Sequence, residues 1–115
     1  GSATLSDNGL KMIREVAKMQ DFQNPEIFLS IEGHTDSDPV KASKIYFKDN
    51  YDLSAERART VMLALHEQGI ALERMQIVGH GPNKLITENG KENKAKSRRV
   101  EIFMMRPYGS ATAEM

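Results

Sequence analysis

The stretch LSAERARTVMLALHEQG, residues 53–69, decides the fold of this 115-residue chain. Ala58, Val61, Met62 and Leu65 recur at helical spacing as one apolar stripe, Ser54 stands where an N-cap is wanted, and Gly69 follows where the helix must stop. The stretch reads as an amphipathic helix starting from a Ser54 cap. Upstream, NPEIFLSIEG (residues 24–33) breaks helical structure at Pro25 and then alternates Ile27, Leu29 and Ile31 against Phe28, Ser30 and Glu32 up to Gly33. Downstream, MQIVGHGP (residues 75–82) reads as a short strand ended by glycines and Pro82. A full helix between two strands is what a right-handed parallel crossover needs, so the expected class is α/β.

The flanks fill in around that unit. In LSDNGLKMIREVAKMQDF (residues 5–22), Leu10, Ile13, Val16 and Ala17 form a stripe continued by Met12 and Met19, which predicts a helix over residues 6–19 capped by Ser6 or Asp7. VKASKIYFKDNYD (residues 40–52) predicts a long surface loop or a short irregular helix. NKLITENGKENKAKS (residues 83–97) is polar, with an Asn89-Gly90 turn and a short helix near its end. RRVEIFMM (residues 98–105) alternates Val100, Ile102 and Met104 against Glu101, Phe103 and Met105, as a strand does. Met12, Met62, Met75 and Met104 are read as packing rather than as an adaptable binding face. One domain over residues 1–105 and a flexible tail over residues 106–115 are expected.

Composition excludes several functions. Sixteen Lys plus Arg balance sixteen Asp plus Glu, so no global field draws the chain to nucleic acid or an anionic membrane. The absence of Cys rules out a disulfide framework and any thiolate ligand or nucleophile. No apolar run approaches the roughly 18 residues of a membrane span. Residues 84–99 hold six basic side chains against two Glu, but no aromatic interleaves with them, so base stacking lacks a platform and the stretch reads as a solvated loop.

The chemistry collects at the end of the first strand. IEGHTDSDPV (residues 31–40) offers His34, Thr35, Asp36 and Asp38 within one turn, a set that can hold a metal, act as acid and base, or grip a cation. The H-x-D-x-D spacing of His34, Asp36 and Asp38 would suit a metal-dependent hydrolase. Against this, such sites draw ligands from several strand ends, and no motif links His66 or His80 to the cluster. His34 is therefore read as a turn residue that orients the loop, and Asp38 before Pro39 as a turn former.

Arg57 supplies the counterpart. In a helix capped at Ser54 it falls in the first turn, where a cation opposes the macrodipole, and it stands four residues before Val61 at the edge of the buried stripe. It either pairs with Glu56, Asp52 or Glu101 on the surface, or serves as a bidentate fork for a ligand carboxylate. Ligands of crossover units bind beyond the carboxyl end of the strand, which would bring Asp36 near Arg57. A cation holder beside an anion holder describes a site for a zwitterion such as an amino acid.

Taken in order, IEGHTD, NYDLSAERARTV, IVGHG and SRRVEI resemble the OmpA-like peptidoglycan-binding domain, whose pattern runs GHTD, N, LSxxRAxxV, GxG and NRRVEI, over residues 2–104. The DSDP turn and the longer excursion before NYDLS are similar to the flagellar-stator MotB branch. The resemblance implies a βαβαβ mixed sheet with helices packed on one face, an α+β sandwich, whose first family strand would lie upstream of Gly1. It implies that Asp36 takes the ammonium at the stereocentre of the stem peptide's diamino acid and Arg57 the neighbouring carboxylate. Thr35 would sit beside the Asp, Asn50 before the helix, and Leu53 at the pocket rim with its backbone exposed to the ligand. Arg98 and Arg99 match the Arg pair, Arg98 being preferred as ligand-facing because it shares a side with Val100 and Ile102. Ser97 replaces the family's Asn, keeping a hydroxyl but losing reach.

The expected function is noncovalent, non-enzymatic binding of diaminopimelate-containing peptidoglycan with no cofactor. It would anchor a periplasmic domain whose parent is held in the inner or outer membrane by a segment outside this chain, as a monomer or a homodimer. Stator, porin, lipoprotein and secretion component all stay open as parents. The alternatives are the His34/Asp36/Asp38 hydrolase and a protein–protein interaction module of an envelope complex.

Overall fold

The computed structural model describes residues 4–40 and 47–106. Through them run α1 (Asp7–Ala17), α2 (Gln20–Gln23), β1 (Phe28–His34), α3 (Asn50–Glu67), a 3-10 turn (Leu72–Arg74), β2 (Met75–Gly79), β3 (Thr87–Glu88), β4 (Lys91–Glu92), α4 (Lys94–Ser97) and β5 (Arg99–Met105). Residues 41–46 of the excursion expected over residues 40–52, and the tail from residue 107, lie outside the described residues, and Asn50–Asp52 of it already belong to α3.

The main sheet has the order β2-β1-β5, with β1 and β2 parallel and β1 and β5 antiparallel. The helix between β1 and β2 is the expected crossover, and the sheet is mixed. Leu29 and Ile31, fully buried on one side of β1, meet Ala58, Val61 and Leu65 of α3, with Ile13 and Ala17 of α1 and Phe22 of α2 closing the core. Each buried Leu, Ile, Val or Phe side chain among them contributes about 1.5–3 kcal/mol by leaving water. Among the described residues no helix is long and apolar enough to cross a membrane.

Two glycines seat α3 on the sheet. Gly33 and Gly79 are direct partners in the β1–β2 register. A Cβ at Gly33 would stand 2.0 Å from the Ser54 carbonyl oxygen, and one at Gly79 would stand 2.9 Å from both Tyr51 O and the Ala55 amide nitrogen. The helix backbone thus rests directly on the sheet at this point.

Several local expectations need correction. Ser6 is the α1 cap, its Oγ accepting from the Gly9 amide at 3.0 Å, but the helix ends at Ala17 and α2 follows separately. Ser54 is not the cap of the central helix. Asp49 is, accepting from the Asp52 amide at 2.8 Å, while Ser54 Oγ, fully buried, donates to Tyr51 O and accepts from the Gly81 amide. Arg57 therefore sits two turns inside α3, beyond the reach of the terminal dipole on which its first-turn reading rests. Met75 is buried, whereas Met12, Met19 and Met104 are about half exposed or more. Met12 precedes the Ile13–Ala17 stripe by one residue, about 100° around the helix, and Met104 lies near the end of an edge strand.

Candidate ligand-binding site

Strand β1 ends at His34, and the chain turns so that Thr35 and Asp36 stay buried. The turn is tied to the loop after β2: the Thr35 amide donates to Gly81 O at 3.0 Å, and the His80 amide to Gly33 O at 3.0 Å. Thr35 Oγ1 donates to Asp36 O at 2.9 Å, and Asn50 Nδ2 donates to Asp36 O at 3.4 Å and Asp38 O at 3.0 Å. Both side chains thus grip the backbone that carries Asp36. Leu53 departs from its expected place at the rim: it is buried, and its amide donates to Asp49 O within the helix, so its backbone donor does not face a ligand.

The Asp36 carboxylate accepts from Arg98 Nη1 at 2.6 Å through one oxygen and from the Asp38 amide at 2.9 Å through the other. Arg98 lies between α4 and β5, and its side chain is about half exposed. Arg57 is half-buried, with Nη1 3.4 Å from His34 O. Burial lowers the Arg57 pKa, the Asp36 charge opposes that shift, and Arg98 adds to it. One carboxylate and two guanidiniums therefore share this strand end, with a net charge of +1. Beside them lies a pocket of about 260 Å³ with Leu5, Val61 and Val100 in its wall and Arg57, Arg98 and Arg99 on it. Asp36, Thr35, Asn50 and Leu53 do not line that cavity.

The H-x-D-x-D residues separate. Asp36 turns to Arg98, Asp38 Oδ1 lies 2.8 Å from Lys94 Nζ, and His34 points to the sheet's other face. There His34 stacks on His80, with ring centroids 4.7 Å apart and planes 9° apart. No motif joins these histidines in the sequence, yet a signal is present. Gly-His follows the strand core in both IEGH and IVGH, and the parallel Gly33–Gly79 register sets one pair beside the other.

His80 Nε2 lies 2.5 Å from Glu32 Oε1, and His34 Nε2 lies 2.7 Å from Glu101 Oε1, although neither His34 ring nitrogen has an aligned hydrogen-bond partner. Burial, with the Arg99 charge, holds His34 below its ordinary 6.5. Burial pulls Glu32 upward, but hydrogen bonds from His80 and Ser30 and the charges of His80 and Lys84 outweigh it and hold the carboxyl below 4.5.

These two shifts predict a stability profile. Just below pH 6.5 the unfolded chain binds the His34 proton more readily than the folded one, so stability falls as pH drops from 6.5 toward the lower folded value. Glu32 stabilises above 4.5, and its contribution is lost as pH falls through its own folded value. The urea midpoint is expected to decline between about pH 7 and 5, and His34→Asn, which does not titrate, to flatten that decline while leaving the fall below 4.5. An equal slope in wild type and variant would exclude His34 as its source.

The comparisons with known proteins agree with this architecture. The OmpA family model matches residues 1–99. Motility protein B of Helicobacter pylori is 30% identical over 103 residues, which are 89% of this chain and 39% of that protein. The probable lipoprotein YiaD of Escherichia coli is 34% identical over 104 residues, 90% of this chain and 44% of that protein. The crystal structure of the periplasmic domain of Helicobacter pylori MotB superposes with a TM-score of 0.81 at 28% identity, covering 92% of this chain and 65% of that one. The chain thus spans about two fifths of the length of these relatives. With a mixed sheet of this topology, GHTD at the end of β1, LSAERARTV on the helix that crosses it, and a family match over nearly its whole length, the chain belongs to the OmpA family.

Proposed function

We propose that this domain binds peptidoglycan noncovalently by recognising the free zwitterionic centre of the stem peptide's diamino acid. The observation that carries the reading is the Asp36 carboxylate set beside Arg57 and Arg98 at one strand end. A ligand ammonium takes the carboxylate of Asp36, which releases the half-exposed Arg98 from its ion pair. The two guanidiniums then face the ligand carboxylate, for which a planar fork is suited. The +1 balance of the three groups favours a ligand that brings a carboxylate with its ammonium over a simple amine. Thr35 and Asn50 hold the Asp36 backbone rather than touch the ligand.

Each hydrogen bond between ionised groups contributes about 1.5–3 kcal/mol, partly offset by ordering a flexible peptide. Monovalent affinity is therefore modest, and retention on a wall comes from many domains meeting a repeating polymer. The domain is periplasmic and non-catalytic, and it anchors a parent held in the cell envelope.

The test is co-sedimentation of the wild-type domain with purified diaminopimelate-type sacculi, challenged with free meso-diaminopimelate. Binding that the free amino acid releases, that lysine-type sacculi do not support and that a chelator leaves intact is the expected result. Sedimentation indifferent to diaminopimelate would overturn the zwitterion reading, and loss on chelation would return the metal reading.

A further inference from the structure

The turn that carries Asp36 is held from a direction the family motifs do not mark. Segment 87–98 folds as the β3–β4 hairpin, turning at Asn89 and Gly90 with φ of 54° and 76°, followed by α4 and Arg98. From β4, Glu92 reaches across to Ser37, next to Asp36. Its Oε2 accepts from Ser37 Oγ at 2.7 Å and its Oε1 from the Ser37 amide at 3.3 Å. Two residues on, Lys94 Nζ stands 2.8 Å from Asp38 Oδ1. The amide of Asp38 is in turn the donor to Asp36 Oδ1.

Ser37 and Asp38, the two residues after Asp36, are thus fastened to one short segment, and the same segment ends in the arginine paired with Asp36. The Lys94–Asp38 pair is about half exposed on both sides, where solvent weakens it. The Glu92 carboxylate uses both oxygens on one residue and fixes its backbone as well as its side chain. Without it, the Ser37 amide and hydroxyl lose their acceptor, and the line from the Asp38 amide to Asp36 Oδ1 keeps its support from Asn50 on Asp38 O and from Lys94 but loses the restraint on the residue between.

We propose that Glu92 is a positioning residue for this site, with Lys94 as its auxiliary: through Ser37 and Asp38 they aim the Asp36 carboxylate between Arg57 and Arg98. The proposal rests on the reading that Asp36 takes the ligand ammonium. Nothing local in the sequence marks Glu92, which lies 55 positions from Ser37 in a polar stretch that looks like a solvated loop.

The experiment measures calorimetric affinity for a muramyl tripeptide bearing meso-diaminopimelate, together with amide exchange at Ser37 and Asp38 in the free protein. Glu92→Ala is expected to weaken binding about three- to tenfold, the range for losing a hydrogen-bonded restraint, with the melting temperature little changed. Glu92→Gln, which keeps one acceptor oxygen, is expected to recover part of the loss. Ser37→Ala combined with Glu92→Ala is expected to be no worse than Glu92→Ala alone, since both cut the same link. Faster exchange at both amides in Glu92→Ala completes the expected set.

Unchanged affinity, unchanged exchange or additive losses in the double variant would each overturn the positioning role while leaving the peptidoglycan reading in place. Failure of the wild-type domain to bind the tripeptide would instead sink the peptidoglycan reading, and the role of Glu92 with it.

Discussion

Asp36→Ala is expected to abolish co-sedimentation with diaminopimelate-type sacculi, and Arg57→Ala to do the same, with the circular dichroism of both variants unchanged. The first substitution leaves Arg57 and Arg98 facing each other with no anion to receive an ammonium. The second removes the inner guanidinium, whose position against His34 O fixes it where Asp36 and Arg98 meet. Losing a bond between ionised groups, about 1.5–3 kcal/mol, lowers affinity roughly 10- to 150-fold, enough to take a modest interaction below detection. The fold should survive both changes. Arg98 is half exposed, so water can replace Asp36 as its partner, and burial already disfavours the Arg57 charge, so removing it relieves a desolvation cost. Arg57→Lys should not rescue binding, because an ammonium cannot form the planar fork. Retained sedimentation in both alanine variants would sink the site assignment.

The parts of the molecule that are legible in sequence are those that repeat a physical pattern. The Ala58, Val61 and Leu65 stripe, the Ile27, Leu29 and Ile31 alternation and the Gly69 stop each show local periodicity or backbone geometry, and the structure carries all three. The helix start is harder to read because Ser54 and Asp49 are both good cap residues by type, and only the buried hydrogen bond from Gly81 to Ser54 Oγ decides between them. Capping is a local signal, but tertiary structure makes that choice. The same holds at the site. Asp36 beside Arg57 follows from the crossover rule, whereas Glu92 on Ser37, and the stacked histidines, depend on the register and loop docking that bring distant segments together. Leu53 illustrates the converse: a residue placed at the rim by motif position is turned into the core by a helix that starts more than a turn before a Ser54 cap would begin it.

Gly33→Ala is expected to produce the largest loss of stability of any substitution at this strand end. Its new methyl would stand 2.0 Å from the Ser54 carbonyl oxygen, 2.8 Å from the Ser54 carbonyl carbon and 3.3 Å from Ser54 Cα. All three obstacles are helix backbone, so no rotamer change relieves the clash, and either α3 lifts from the sheet or β1 bends. Overpacking of this kind costs about 3 kcal/mol or more, out of a total of roughly 5–15 kcal/mol for a domain. The melting temperature should fall by about 10 °C or more. Gly79→Ala, where the nearest atoms are 2.9 Å away, should cost visibly less. Because Arg57 rides on α3 one turn beyond Ser54, the displacement that accommodates the added methyl also carries the guanidinium away from His34 O. Binding to sacculi should therefore weaken even at temperatures where the Gly33→Ala domain is still folded. Equal melting temperatures for the two glycine variants, or full binding by folded Gly33→Ala, would show that the close seating of α3 on Gly33 does not set the site's geometry.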